Sequence, residues 1–451
     1  MISLNKPTED FARQHADDDV RQLALRGTKD ADVDLTLALQ QIQGRQTARR
    51  KLPTWANCEG IVYPPHLNME QCSSEQTARY KLATVNRLIK EYIHPSCGGA
   101  GGGCSFGGVG GGSSFGGAGG GCSFGGAGGG SSFIDLTGGF GVDFTVMASA
   151  FDEAAYNERD PQLCAVAQHN FGLLTEKTHK TRFLAADATE LLQCISHVTL
   201  IFLDPARRDS HGGRTYALAD CTPDVLQLRD LLLEKADFVM LKLSPMLDWR
   251  KAVADLGQEH VSEVHIVSVG GECKELLVVM SRQANSLTLY CVNDNDSWMV
   301  QPSMPHEYRE IHSPSAPAFL YEPNASVMKA GCWEELSAAF GVSQIAPNSH
   351  LFLAEKPVEG FPGRCFHIET VATMNKRDLR QALQGVSQAN ITTRNFPLTP
   401  PQLRQRLKIK DGGENYVFAT TDADNRHILF VCHPVRSATR ASSSGASARK
   451  A

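Results

Sequence analysis

Across the middle of the chain, short apolar runs of strand length alternate with segments whose apolar residues recur at helical spacing. The strand-like runs are FID from Phe133, EAAYN before Glu158, the stretch leading into FLAADATE, HVTLIFL ending at Leu203, and ADFVMLKL ending at Leu243. Between them lie PQLCAVAQHNFGLL and TPDVLQLRDLLLEK, both of helical period. VSEVHIVSVGGECKELLVVM adds two strand-like runs joined by Gly270 and Gly271. This alternation predicts an α/β architecture over residues 133–300, with a parallel or mixed sheet covered on both faces. Residues 1–96 read as helical: Leu23, Leu25, Leu35, Leu37, Leu39 and Ile42 mark amphipathic turns, and Ser73 or Ser74 caps EQTARYKLATVNRLIKEYI. Residues 301–345 are rich in proline and polar residues and read as a linker or docked segment that ends in the short helix WEELSAAFGV. Residues 346–435 read strand, helix, strand, helix and a strand pair, a small α+β module.

The chemistry concentrates where strands end. FIDLTGGFGVDF places Asp135 at a strand end, directly before a glycine turn that opens a helix. Gly138, Gly139 and Gly141 admit backbone conformations closed to other residues and let a ligand approach the main chain. The helix that follows turns its unpaired N–H groups toward that ligand. A dinucleotide fingerprint would need a third glycine, yet Val142, Asp143 and Phe144 follow Gly141. The spacing Asp135, Thr137, Gly139, Gly141 instead resembles motif I of class I S-adenosylmethionine (SAM) methyltransferases, with Thr in the first glycine slot. A plain strand-to-helix connection also accounts for the turn. Glu158, at the next strand tip, is placed to accept hydrogen bonds from ribose hydroxyls, or is a surface acid beside Arg159 and Asp160. Asp187 either receives an adenine amino group or caps a helix.

HVTLIFLDPARRD ends its strand abruptly at Asp204 and Pro205, because proline cannot extend the pairing. Ligands of open α/β sheets bind at that carboxyl edge. The position is that of motif IV in methyltransferases acting on nucleic acids, many of which read D/N-P-P-Y. Here Ala206 and Arg207 replace the second proline and the aromatic, so no base-stacking residue stands in the expected place. Arg207 and Arg208 either hold a phosphate by bidentate hydrogen bonds or pair with Asp209. Lys242 and Ser244 reach the same edge from the next strand.

On these runs together the chain resembles the bacterial class I SAM-dependent methyltransferases that carry a THUMP-like C-terminal domain. DDDVRQLAL, DVDLTLALQQIQGRQTARRKLPTWA, MEQCSSEQTARYK, DLTGGFGVDF, FLDPARRD, YEPNASVMKAG and LKIKDGGENY carry the resemblance, which spans nearly the whole chain. It implies a Rossmann-like sheet, SAM as cofactor and an RNA substrate. In such a site Gly139 and Gly141 meet the methionine end, Glu158 the ribose and Asp187 the adenine, while Asp204, Pro205 and Arg207 face the acceptor. It also makes Glu70, Gln71, Ser73 and Ser74 candidates for the cleft wall; a capped helix start accounts for the same residues.

Composition narrows the alternatives. The 451 residues hold 42% hydrophobic side chains, enough for several cores, with no apolar run of membrane-spanning length and an acidic, polar start. A cytoplasmic enzyme is expected. The 13 cysteines lack metal-ligand spacing, so no metal site is expected. From Gly98 to Phe133 one nine-residue glycine-rich unit is repeated four times and contains half of the 40 glycines. Residues 97–132 therefore read as a flexible loop grown by repeat expansion. The chain carries a formal charge of -5, yet residues 361–410 hold nine Lys/Arg against two Asp/Glu. That basic face suits a phosphate backbone, with Lys376, Arg377, Arg380, Arg394, Arg404, Lys408 and Lys410 as candidates. The tail, residues 436–451, is basic and of low complexity. Two rival functions remain: a NAD-dependent oxidoreductase, opposed by Asp135 and the missing third glycine, and a non-catalytic RNA-binding protein with a degenerate core.

Overall fold

The computed structural model describes residues 4–93, 130–176, 180–207, 218–302 and 317–435. Most of the glycine repeats, Arg208, Asp209, and the tail lie outside the described residues. The chain divides into two compact units, Met1–Glu263 with Leu276–Ser286, and Val264–Glu275 with Leu287–Ala451.

The first unit opens with helices α1 (Lys6–Gln14), α2 (Val20–Arg26), α3 (Leu35–Lys51), α4 (Pro53–Asn57), α5 (His66–Gln71) and α6 (Glu75–Ile93). Asn5, Asp19 and Asp34 start the first three by accepting hydrogen bonds from backbone N–H groups of the first turn. Gly44 in α3 lets the chain pass close to Tyr63, where an added Cβ would lie 2.3 Å from the Tyr63 Cβ. Gln41 of the same helix completes the contact, with its Nε2 on Tyr63 O (2.9 Å) and its Oε1 receiving Tyr63 N–H (2.8 Å). Trp55, Tyr63, Met69 and Ala78 share one apolar core with Phe140 and Val142, so these helices roof the glycine turn.

Strands β1 (Ser132–Asp135), β2 (Glu153–Asn157), β3 (Lys180–Leu184) and β4 (Val198–Leu203) follow, then the short pair β5 (Ala206–Arg207) and β6 (Cys221–Thr222), β7 (Ala236–Leu243), β8 (Val261–Val269) and β9 (Glu272–Met280). Between them run α7 (Val142–Met147), α8 (Pro161–Leu174), α9 (Ala188–Cys194), α10 (Val225–Lys235) and α11 (Trp249–Leu256). Within this unit the strand order is β3-β2-β1-β4-β7-β9. The first five are parallel neighbours, while β9 runs antiparallel to β7. The aromatic core of Phe133, Phe144, Phe151, Tyr156 and Phe202 holds the sheet, with Phe133 stacked on Phe144 and Phe151 at 5.7 and 5.1 Å between ring centres. The chain runs outward from β1 to β2 and β3, then returns to β4 on the other side of β1. That reversal opens a crevice at the carboxyl ends of β1 and β4.

The second unit takes the tip of the β8–β9 hairpin, β10 (Thr288–Asn293) and β11 (Asp296–Val300), and then a seven-stranded sheet. That sheet uses β12 (Phe319–Pro323), β13 (Ser343–Gln344), β14 (Phe352–Ala354), β15 (Gly363–Thr373), β16 (Gln388–Thr393), β17 (Lys410–Thr421) and β18 (His427–Pro434), in the order β13-β14-β12-β15-β18-β17-β16. Helices α12 (Ala325–Ala330), α13 (Trp333–Phe340), α14 (Lys376–Ala382) and α15 (Pro400–Leu407) complete it. Over residues 317–345, part of the expected linker or docked segment, the chain forms β12, α12, α13 and β13. FLYEP is an inner strand, paired with β14 and β15, whose proline stands at its last position, where the ladder ends anyway. Leu379 of α14, Leu383 at its C-cap, and Leu403 and Leu407 of α15 pack on the sheet, against Ala389, Val417 and Val431. No described helix is long and apolar enough to cross a membrane.

Candidate active site

The glycine turn after β1 is held from three sides. Thr137 N–H donates to Asp135 Oδ1 at 3.0 Å, and Gly138 N–H to Asn157 O at 2.7 Å. Gly139 N–H donates to Glu158 Oε2 at 3.0 Å. Gly139 and Gly141 both have positive φ, 55° and 86°, which is why glycine stands there. Gly138 is required for a different reason: a Cβ would fall 2.1 Å from the Tyr156 ring, whose hydroxyl donates to Gly139 O. Around Gly139, by contrast, an added Cβ would meet only Thr137 O, 4.0 Å away. The backbone there faces space rather than packing.

The adjoining strand tips are laced together. Asn157, fully buried, donates to Leu136 O and Ala186 O and accepts from Ala186 N–H, tying the ends of β1, β2 and β3. Glu158 follows Asn157 directly; its Oε1 takes the Asp160 N–H at 2.9 Å, so the carboxylate is already oriented by two backbone donors. A carboxylate has about four acceptor positions, which leaves capacity for a ligand's hydroxyls. Asp187 is the N-cap of α9, its Oδ1 accepting from Thr189 and Glu190 N–H. At the end of β4, Asp204 N–H donates to Thr137 Oγ1 at 2.7 Å, and Asp204 Oδ2 accepts from Lys242 Nζ. Pro205 is buried, and Arg207 lies in β5, paired antiparallel with β6.

Charge is concentrated here. Burial drives the Asp135 carboxyl well above its ordinary range; the Thr137 N–H opposes this, while the negative fields of Asp143, Asp204 and Glu158 reinforce it. Asp143, in the first turn of α7, is also buried, and burial alone would raise it. Lys81, Lys242 and the Ser73 hydroxyl outweigh that and hold it below the usual carboxylate range. Lys81 reaches in from α6 with its side chain fully buried, 3.1 Å from Asp143 Oδ1 and 3.0 Å from Ser73 Oγ, and Ser73 donates to Asp143 Oδ2 at 2.6 Å. Burial lifts the Cys72 thiol to about 11 despite Lys51 and Lys242.

The crevice therefore brings together Asp135, Thr137, Gly139, Gly141, Glu158 and Asp204, with Asp187 at the neighbouring strand end. The sequence pattern does not single out Lys81, Asp143, Asn157 or Tyr156. A lysine amid the apolar positions of a helix is the available signal for Lys81. Ser74 caps α6 through the Thr77 N–H, and Ser73, expected as cap or cleft wall, is the buried partner of Asp143.

This crevice sits in a chain whose C-terminal segments match two family models: residues 363–434 a THUMP domain-like family, and residues 319–362 a ferredoxin-like domain. A solved structure of a candidate methyltransferase from Porphyromonas gingivalis W83 superposes with a TM-score of 0.77, covering 97% of this chain and 100% of that one at 29% identity. Over nearly its whole length the chain shares the fold of that methyltransferase structure, and it carries a THUMP-like domain at its C-terminal end. A SAM-dependent methyltransferase from Agrobacterium tumefaciens is similar over 35% of this chain and 57% of its own, at 18% identity and a TM-score of 0.27. No curated protein matches the sequence.

In the THUMP-like domain the seven basic candidates divide. Arg394 pairs with Glu322 at 3.1 Å, and Arg364 holds the other oxygen of that buried carboxylate. Arg404 pairs with Asp411. Lys408 is exposed at the left-handed C-cap of α15, and Lys410 is exposed at the start of β17. Lys376, Arg377 and Arg380 instead line one concave surface along α14, with Gln381 and Gln384.

Proposed function

We propose that this protein is a SAM-dependent methyltransferase acting on RNA. The observation that supports it most is the pair of bonds at the strand-order reversal: Glu158 to Gly139 on one side of the turn, Thr137 to Asp204 on the other. They set a ligand-facing glycine and a solvent-reaching carboxylate around one crevice. The residues fit the cofactor. The space before Gly139 admits a ligand against bare backbone, and the Glu158 and Asp204 carboxylates at the strand tips suit a cationic sulfonium.

Bound SAM would supply a methyl group already activated by the positive sulfur. Gly139 and Gly141 would line the methionine end, Glu158 would accept from the ribose hydroxyls, and Asp187 would face the adenine. Asp204 orients the acceptor through a hydrogen bond from its N–H or O–H and takes the departing proton at its carboxylate. Alignment is the larger contribution, since a well-oriented acceptor saves about 7–11 kcal/mol of barrier at the upper limit. RNA as acceptor is supported by the THUMP-like domain and the basic surface of α14.

Calorimetric titration with SAM and with NADH tests the cofactor: binding of SAM alone is expected. Glu158→Ala should weaken SAM binding by roughly 1.5–3 kcal/mol, the value of a charge-assisted hydrogen bond; unchanged affinity removes Glu158 from the site. Transfer of radiolabelled methyl onto total RNA from a strain lacking the gene tests the reaction. SAM binding without any incorporation would favour a binding-only protein.

A further inference from the structure

Lys242 has no part in the mechanism above, and its placement asks for one. It is the penultimate residue of β7, flanked by the buried Leu241 and Leu243, and β7 is the parallel neighbour of β4, which ends at Asp204. Its side chain is 11% exposed, whereas that of Asp204 is 39% exposed. Burying an ammonium costs hydration, and a pair with a half-exposed carboxylate returns little of it. Its charge also helps to hold the buried Asp143 carboxyl low, a structural contribution, and its ammonium bonds the Asp204 carboxylate at the acceptor edge as well. Asp204 is held twice, its main chain by Thr137 Oγ1 and its carboxylate by Lys242 Nζ.

We infer that Lys242 is a positioning residue for methyl transfer, fixing the Asp204 carboxylate toward the acceptor. The inference rests on the proposed function and assigns one more residue to that site. Without the Lys242 bond the Asp204 side chain loses a described restraint on its choice among the staggered χ1 wells. A displacement of about 1 Å at the reacting groups costs on the order of 100-fold in rate. A different role is also imaginable for Lys242, since its charge reaches Asp143 and Cys72, and through them the buried Lys81 cluster. That role would be structural, and it predicts different data.

The test compares the full-length protein with Lys242→Met, Lys242→Arg, Asp204→Asn and the double variant Lys242→Met/Asp204→Asn. Radiolabelled SAM and total RNA from a strain lacking the gene report kcat and the KM for RNA; calorimetry and melting report SAM affinity and stability. Lys242→Met should lower kcat by roughly 10- to 100-fold with SAM affinity close to that of the unsubstituted protein, at temperatures where the variant is fully folded. Lys242→Arg should recover most of the rate. In the Asp204→Asn background, Lys242→Met should cost almost nothing further, because both changes remove one unit. An unchanged kcat in Lys242→Met, a loss accounted for by an equal loss of SAM binding or of folded protein, or additive losses in the double variant would each overturn the inference. Absence of methyl transfer by the unsubstituted protein would overturn the proposed function and this inference with it.

Discussion

The backbone N–H of Asp204 donates to the side-chain oxygen of Thr137 at 2.7 Å, joining the glycine turn after β1 to the end of β4 across 67 residues of sequence. Thr137 also donates its own N–H to Asp135. One residue thus links the carboxyl assigned to the cofactor side with the carboxylate assigned to the acceptor side. Thr137→Val keeps the shape and removes the acceptor. It should destabilise the protein by about 1–3 kcal/mol, the cost of stranding a partly buried donor, and lower the rate of methyl transfer more than Thr137→Ser does. Urea unfolding and the radiolabel assay measure the two effects. Equal behaviour of Val and Ser would show that the bond does not hold this edge.

Two adjacent glycines should respond in different ways. Gly138→Ala drives a Cβ into the Tyr156 ring at 2.1 Å, and overpacking of this kind costs about 1–3 kcal/mol. The Gly139→Ala methyl meets only open space, so the cost is the left-handed backbone alone, roughly 1–2 kcal/mol. That methyl would stand where the cofactor is expected. Both variants should therefore melt earlier, while SAM titration should be lost only in Gly139→Ala, at temperatures where it is fully folded. A folded Gly139→Ala that binds SAM normally would move the cofactor elsewhere.

Stability should also depend on pH through Asp135. Its folded-state pKa is raised by burial, against an ordinary value of 3.8. Above 3.8 the unfolded chain gives up the proton while the folded chain keeps it, so stability falls as pH rises, until the raised folded pKa is passed. Asp143 has the opposite sign: held low, chiefly by Lys81 against the effect of burial, it stabilises above the ordinary range and loses that contribution as acid protonates it in the folded state. Asp135→Asn should raise the melting temperature at neutral pH and leave the acid limb due to Asp143 in place. A melting temperature that drops at pH 7 but not at pH 4 would contradict this.

How far the sequence could reveal this site follows from the distances involved. Asp135, the glycines, Glu158 and Asp204 were legible because each stands at the end of its own apolar run, and a strand end is a local signal. Lys81 and Asp143 were not, because they are 62 residues apart in the chain and only the packing of α6 on α7 joins them. Tyr156 read as one more apolar strand residue, although its hydroxyl reaches back to the turn. FLYEP was hidden by the prolines around it, which a sheet tolerates at a strand's last position. The basic surface was legible as composition alone: the sequence counted Arg394 and Arg404 with the rest, but the Glu322 partner of Arg394 lies 72 residues away and is reached only through the fold, while Asp411, seven residues past Arg404, meets it where α15 gives way to β17.

That division of the basic residues carries the last prediction. Lys376 and Arg377 occupy the first turn of α14, where the helix dipole disfavours cations by about 0.3–1 kcal/mol. Together with Arg380 they offer an anion three donors on one concave surface. Changing all three to Gln should weaken RNA binding and reduce the slope of log K against log salt by roughly 0.7–0.9 for each phosphate no longer neutralised. Arg394→Gln leaves the buried Glu322 with Arg364 as its remaining guanidinium partner, and should therefore act mainly on stability. Arg404→Gln releases an exposed partner and should do little to either. Binding isotherms at several salt concentrations, set beside urea unfolding, separate these outcomes. If Arg394→Gln flattened the salt slope as much as the α14 triple variant does, the RNA-binding surface would lie across the sheet rather than along the helix.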